Sequence, residues 1–182
     1  MNFELPILHS PRVSLFVFQI KDLVDIYPCI TKTLTRYMSW EPAENFQALE
    51  QIGQQWILAE SKNTDHHFVL RCKETHTFIG LIGVHRVHTT TPELGLWIRE
   101  DHHGQGYAKE ALFEVFRWAS QKIQPEYFLY PVAIDNHASR KLAEFLGGVV
   151  TGKKNEKKVK VELFPWEKLD HVEVIKKAFK LS

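Results

Sequence analysis

Seven consecutive residues, Phe78-Ile79-Gly80-Leu81-Ile82-Gly83-Val84, carry no polar or charged side chain. The run is far too short to cross a bilayer, which takes about 20 apolar residues in a helix. Its length and its branched side chains suit a strand. A strand with no polar alternation is covered on both faces, so the chain must place layers on either side of a sheet. Its 182 residues have room for one such domain and not comfortably for two.

The neighbouring segments supply the rest of the sheet. Residues 67–72 and 93–99 read as strands before and after the apolar run, which itself extends over 78–86. The short links at 73–76 and 87–92 suit antiparallel hairpins. Upstream, 12–18 sets Val13, Leu15 and Val17 on one face of a half-buried strand. A short helix is expected at 22–30. A longer one follows Pro42, with Phe46, Leu49, Ile52, Trp56 and Ala59 at helical spacing. Downstream, Ala108, Ala111, Leu112, Val115, Ala119 and Ile123 mark an amphipathic helix, with Lys109, Glu110, Glu114 and Arg117 expected on its solvent side. A strand at 127–134, a helix at 136–146 ended by Gly147-Gly148, a hairpin from 149–152 and 157–164, and a C-terminal helix within 168–180 complete the order. This mixture predicts an α+β fold in which 1–182 form a single domain around one central mixed sheet, mostly antiparallel and flanked by helices.

Charge and cysteines exclude several classes. A net charge of +1 gives no global attraction to nucleic acid or membrane. Cys29 and Cys72 lie far apart with no CxxC spacing, as expected of reduced thiols. The first ten residues lack a basic start and an apolar run, so a cytoplasmic protein is expected. Lys153, Lys154, Lys157, Lys158 and Lys160 form a basic run that reads as a solvated hairpin, with contact to an acidic protein partner as the alternative; without interleaved aromatics it does not read as a nucleic-acid surface. The adjacent pairs His66-His67 and His102-His103 point in different directions on regular structure. His85 and His88 have no evident carboxylate or cysteine partner, so no metal site is expected. Trp56, Phe116 and Trp118 read as packing residues.

Gly104-Gln105-Gly106 stands between the strand at 93–99 and the helix that begins near Tyr107. Glycines there let backbone approach a ligand, and the first N–H groups of a helix have no partner within it. Together with the helix dipole they form a seat for phosphate oxygens. A plain strand-to-helix turn would look the same. The segment is neither a P-loop, since Glu110 and Ala111 follow Lys109, nor a dinucleotide fingerprint, which needs a third glycine and βαβ units.

Three segments in this order narrow the choice: Glu93-Leu94-Gly95-Leu96-Trp97-Ile98, then Gly104-Gln105-Gly106-Tyr107-Ala108-Lys109-Glu110-Ala111-Leu112, then Asn136-His137-Ala138-Ser139-Arg140-Lys141-Leu142. They resemble the GNAT N-acetyltransferase superfamily, and within it the RimJ/RimL-like branch, whose first strand Ser10-Pro11-Arg12-Val13-Ser14-Leu15 also resembles. The likeness runs from about Ser10 to Trp166. Asp101 stands where the superfamily often has Arg or Gln. Gly148 replaces a usual phenylalanine, and the tyrosine that is the acid in several relatives would fall near Ala143.

The resemblance implies an acetyl-CoA-dependent enzyme without a metal. Its pantetheine arm would lie between the strand holding Leu96, Trp97 and Ile98 and the strand at 127–134. The pyrophosphate would rest on amides of His103, Gly104, Gln105, Gly106, Tyr107 and Ala108. CoA's outer phosphate would be a further alternative contact for the lysine run. Asn136 would bind the pantetheine end, cap its own helix, or both. Glu93 is the expected base, with a solvated hairpin carboxylate as the alternative. Ser139 would protonate the departing thiolate or simply face the cofactor. The expected acceptor is a protein N-terminal α-amine, by direct transfer. The alternatives are a small-molecule amine such as a polyamine or aminoglycoside, or a non-catalytic acyl-CoA-binding module. No nucleic-acid or membrane partner is expected, and a homodimer is left open.

Overall fold

The computed structural model describes residues 7–165, so the helix expected within 168–180 lies outside the described residues. Every residue of the apolar run is buried in strand β4 (Phe78–His85). Strand β3 (Asp65–Cys72) pairs antiparallel on one side of it and β5 (Glu93–Ile98) on the other. β2 (Val13–Val17) pairs with β3, and a two-residue strand that the sequence did not suggest, β1 (Leu8–His9), pairs with β2. β6 (Phe128–Ala133), β7 (Val149–Lys153) and β8 (Lys158–Leu163) complete a sheet of order β1-β2-β3-β4-β5-β6-β8-β7. All neighbouring strands are antiparallel except β5 and β6, which are parallel and share a single register pair, Glu93↔Leu129.

Two hydrophobic layers cover the sheet, as β4 requires. On one face, Phe68, Ile82 and Phe128 pack with Leu112 and Phe116 of helix α4 (Tyr107–Ile123) and Ala143 of α5 (His137–Phe145). On the other, Val69, Leu81 and Trp97 pack under Leu23 and Ile26 of α1 (Leu23–Ile26), Leu34 of α2 (Lys32–Thr35) and Leu49 of α3 (Phe46–Ser61). The short α2 escaped the periodicity reading because one turn has no repeat. Its local signal is Thr31, whose hydroxyl accepts a hydrogen bond from the Leu34 N–H.

Two expectations about helix faces need correction. Glu110 and Glu114 are buried, at 8% and 2% exposure, and not on the solvent side of α4. The run from Ala111 to Phe116 is wholly buried, so this helix has only a narrow polar face. Each carboxylate has a cation: Arg12 for Glu110, and Arg117, at 2.7 Å, for Glu114. In α3 the contact is narrower than its apolar spacing implies. Leu49 and Gly53 are buried, while Phe46 and Ile52 remain exposed. A Cβ at Gly53 would lie 3.0 to 3.2 Å from Leu23, Ile20 and Phe18, so glycine lets α3 approach closely.

Phe116 is fully buried and meets Phe128 edge to face at 5.6 Å. Phe116→Ala should lower unfolding stability by about 3–5 kcal/mol, read as a shifted denaturant midpoint at unchanged slope.

Candidate active site

β5 and β6 part immediately after Glu93↔Leu129, and this opening is the centre of the site. Beyond that pair the facing edge of β6 has no strand against it, which suits Pro131, a residue without an N–H. At the open end, a short 3₁₀ turn (Glu100–His102) leads from β5 into the glycine loop. Gly104 and Gly106 have φ of +74° and +86°, so both positions favour glycine. Gly106 is the N-cap of α4 and offers no side-chain cap, which leaves the first helical amides open to an outside acceptor. His103 turns both its N–H and its ring toward the neighbouring backbone. Its N–H donates to the Glu100 carbonyl at 3.1 Å, and its Nε2 lies 2.6 Å from the Ile98 carbonyl. It ties the loop to β5.

Arg12 fixes the loop from the other side. Its Nη2 donates to the Gln105 carbonyl at 2.8 Å and its Nε to Glu110 at 2.6 Å, while its guanidinium lies 4.7 Å over the Tyr107 ring. Ser10 Oγ and the Arg12 N–H also donate to Glu110, at 2.8 and 3.1 Å. Neither Arg12 nor Glu110 was singled out as a site residue from sequence, because their role depends on a contact between the first strand and α4. Asp101, the unusual residue before the loop, is neutralised locally. Hydrogen bonds from Arg99 at 2.7 and 2.8 Å and from His102 hold its carboxyl at about 2, so its charge is matched by a cation and does not oppose a phosphate unscreened.

Across the opening, Asn136 caps α5 by accepting from the Ser139 N–H at 3.1 Å. Ser139 Oγ lies 3.0 Å from the Tyr130 hydroxyl. Burial pushes the Tyr130 phenol up to about 12, partly offset by that hydrogen bond, so the pair stays protonated at neutral pH. Ala143 is fully buried, and Tyr130 is the phenol that stands beside Ser139 at the opening. Sequence reading missed it because the alternation Phe128, Tyr130, Val132 marks it only as an inward strand residue. Gly148 also has a local reason, since a Cβ there would come within 2.7 Å of the Ala143 carbonyl.

Two hollows meet at this point. One, of about 390 Å³, runs along Ile98, Gly104, Gly106 and Tyr107. The other, of about 520 Å³, lies under Trp40, Ile52 and Trp56. Leu96, Trp97, Tyr130, Asn136 and Ser139 line both.

The sheet register builds the floor of the larger hollow in rows. Val69, Leu81 and Trp97 align across β3, β4 and β5, as do His67, Gly83 and Gly95, then Asp65, His85 and Glu93. Glu93 Oε2 lies 2.6 Å from Lys154 and 3.3 Å from Arg86. His85 Nδ1 lies 3.2 Å from Asp65. His67 stacks on Trp56 at 4.9 Å, and its Nδ1 is buried without a hydrogen-bond partner. Burial, followed by the neighbouring His85, lowers its pKa to about 4. Lys158 lines the same hollow, its pKa lowered by burial and then by Lys154. Among the described residues no cluster of three or more His, Cys, Asp or Glu side chains could hold a metal ion, and no helix is long and apolar enough to cross a membrane.

A splayed parallel strand pair with a glycine loop at the mouth is the architecture of an acyl-CoA-dependent transferase. The chain belongs to the GNAT acetyltransferase family: the model for the acetyltransferase (GNAT) domain matches residues 12–149, well over half its length. No curated protein matches significantly. Among solved structures, a spermidine N-acetyltransferase from Vibrio cholerae, in complex with CoA and spermine, is 21% identical with a TM-score of 0.70, covering 82% of this chain and 92% of that one. The Salmonella typhimurium acetyltransferase that modifies the N-terminal serine of 50S ribosomal subunit protein L7/L12 is 16% identical with a TM-score of 0.72, covering 85% and 94%. RimL in complex with coenzyme A is 17% identical with a TM-score of 0.74, covering 85% and 93%. At such identities the likeness is one of fold.

Arg12→Ala should weaken CoA binding about tenfold, because a charge-assisted bond that shapes the loop contributes about 1.5–3 kcal/mol; calorimetric titration with CoA measures it. His67 gives a stability test. Its ordinary value is 6.5 and its folded value about 4, so between them the unfolded chain binds more protons. Its contribution is full above pH 6.5 and is lost as pH falls through 4, with a limiting slope of about 1.4 kcal/mol per pH unit. Denaturation curves of wild type and His67→Gln should therefore converge as pH falls through that window.

Proposed function

We propose that the chain transfers the acetyl group of acetyl-CoA to a protein N-terminal α-amine. The observation that carries this reading is the meeting of the two hollows at Leu96, Trp97, Tyr130, Asn136 and Ser139. In it, amides from Gly104 to Ala108 receive the pyrophosphate at the α4 terminus. The edge of β5 at Leu96, Trp97 and Ile98 pairs with the amides of the pantetheine arm, and the Asn136 side-chain amide binds near the arm's end. The acceptor enters through the larger hollow.

The acceptor nitrogen must lose a proton before it attacks the thioester carbonyl. A terminal amine, with a pKa near 8, is more often neutral at physiological pH than a lysine-like amine near 10.4. A backbone N–H of β5 stabilises the oxyanion. The C–N bond forms and the C–S bond breaks, and the thiolate takes a proton from Ser139, which is backed by Tyr130. Glu93 supplies negative charge that offsets Arg86 and Lys154 beside the acceptor. Because those cations already hold its outer oxygen, it fits this part better than that of base.

Acceptor class follows from the same charges. Lys154 and Lys158 flank the hollow, and its lining carboxylates are Glu41 and Glu93, of which Glu93 is already matched. That setting disfavours a polycation and suits one amine on an otherwise uncharged chain. A polyamine remains the second reading, supported by the two lining carboxylates and the similarity in fold to a spermidine acetyltransferase.

Thiol release from acetyl-CoA should be faster with peptides bearing a free N-terminus than with spermidine, and acetylating the peptide N-terminus should abolish it. The opposite preference would select the polyamine reading. Ser139→Ala and Tyr130→Phe should each lower kcat, Ser139→Ala by about a hundredfold, with CoA affinity nearly unchanged.

A further inference from the structure

Resting on the acetyl-transfer reading above, we propose that His85, oriented by Asp65, takes the proton from the acceptor amine. Asp65 and His85 are register partners on β3 and β4, and the carboxylate lies 3.2 Å from Nδ1. Asp65 is itself fixed, because its Oδ1 accepts the Arg86 N–H at 2.9 Å. A carboxylate at Nδ1 favours the tautomer whose proton sits there, which leaves the Nε2 lone pair free to accept.

Glycines determine where that lone pair lies. A Cβ on Gly83 would come within 2.6 Å of His85 Nε2, and one on Gly95 within 4.0 Å. The Nε2 edge of the imidazole therefore lies against Gly83 and near Gly95, and any side chain at 83 would displace it. Gly95 immediately precedes Leu96 and Trp97, where the two hollows meet. An amine crossing this floor to the thioester passes His85 Nε2.

The second wall of the passage is His67. Its ring is 5.2 Å from that of His85, it is 95% buried by its 5% exposure, and its Nδ1 has no partner. With its pKa near 4 it is neutral at working pH, so it adds a polar group without adding charge. Its Nδ1 is shut away from the hollow beneath Trp56, so His67 shapes the passage by its ring and not by a hydrogen bond to the acceptor. Asp65 and Glu93 share the row of His85, Arg86 follows it in the chain, Glu41 and Lys158 line the same hollow, and Lys154 sits on Glu93. Arg86 and Lys154 are turned to Glu93. On the outer side, Glu60 of α3 is 2.9 Å from His66.

The proton balance is complete. His85 Nε2 takes one proton from the ammonium, giving an imidazolium beside Asp65. The neutral amine attacks, and its second proton replaces the one Ser139 gives to the thiolate. His85, whose side chain is 39% exposed, returns its proton to solvent.

The test uses the full chain, acetyl-CoA and a peptide with a free N-terminal serine. His85→Gln should lower kcat/KM about a hundredfold and remove the acid limb of its pH profile at unchanged CoA affinity, and free imidazole should partly rescue His85→Ala. Asp65→Asn should lower kcat/KM and weaken the Nδ1–H tautomer. If His85→Gln retains the acid limb and Glu93→Gln removes it, Glu93 is the base and the proposal is overturned. A nitrogen-15 imidazole spectrum of the wild type decides independently of turnover. A proton on Nδ1 supports the proposal and one on Nε2 overturns it, even if the peptide is not acetylated, a result that would count against the transfer reading alone.

Discussion

β5 and β6 stay together for one residue pair and then separate, and the rest of the site depends on that parting. Parallel neighbours in a sheet ordinarily satisfy one another's backbone groups along their length. Here Glu93↔Leu129 closes the sheet at one end, while further along β5 faces an opening in place of a strand. Exposed strand edges pair readily with an extended chain, and the pantetheine arm has the amides to do so. The same opening lets the loop-side groove and the larger hollow share Leu96, Trp97 and Tyr130.

Such an opening needs rigid banks. On the loop side, Arg12 and Glu110 join the first strand to α4, and His103 ties the loop back to the Ile98 carbonyl. Beside the loop, Arg99 neutralises Asp101 through two hydrogen bonds. On the side of the larger hollow, Trp56 holds His67 by stacking, and Asp65 holds His85. The paired glycines Gly83 and Gly95 leave room above the sheet that the His85 ring takes up.

The fold was legible wherever periodicity carried it. The apolar run, the hairpin links and the helix beginning at Tyr107 lie close to their expected bounds because burial leaves a local pattern at period 2 or 3.6. The pattern failed where burial was bought by a distant partner. Glu110 and Glu114 look solvent-facing by residue type, yet cations make their burial tolerable. Among the residues named for the site, Leu96, Trp97, Gly104, Gly106, Asn136 and Ser139 are brought around the opening. The contacts of His103 with the Ile98 carbonyl, of Tyr130 with Ser139 and of Asp65 with His85 join residues that no local pattern links.

By itself the sequence determined the order of elements, the family likeness and the place of the glycine loop, since each is written in neighbouring residues. Only the tertiary structure decided which polar groups face one another across the opening. Asp65 and His85 are 20 residues apart, and Glu93 and Lys154 are 61 apart. Such pairs are set by strand register and by the parting of β5 from β6, and a side chain's chemistry depends on the charge, burial and hydrogen bonds that those distant neighbours impose.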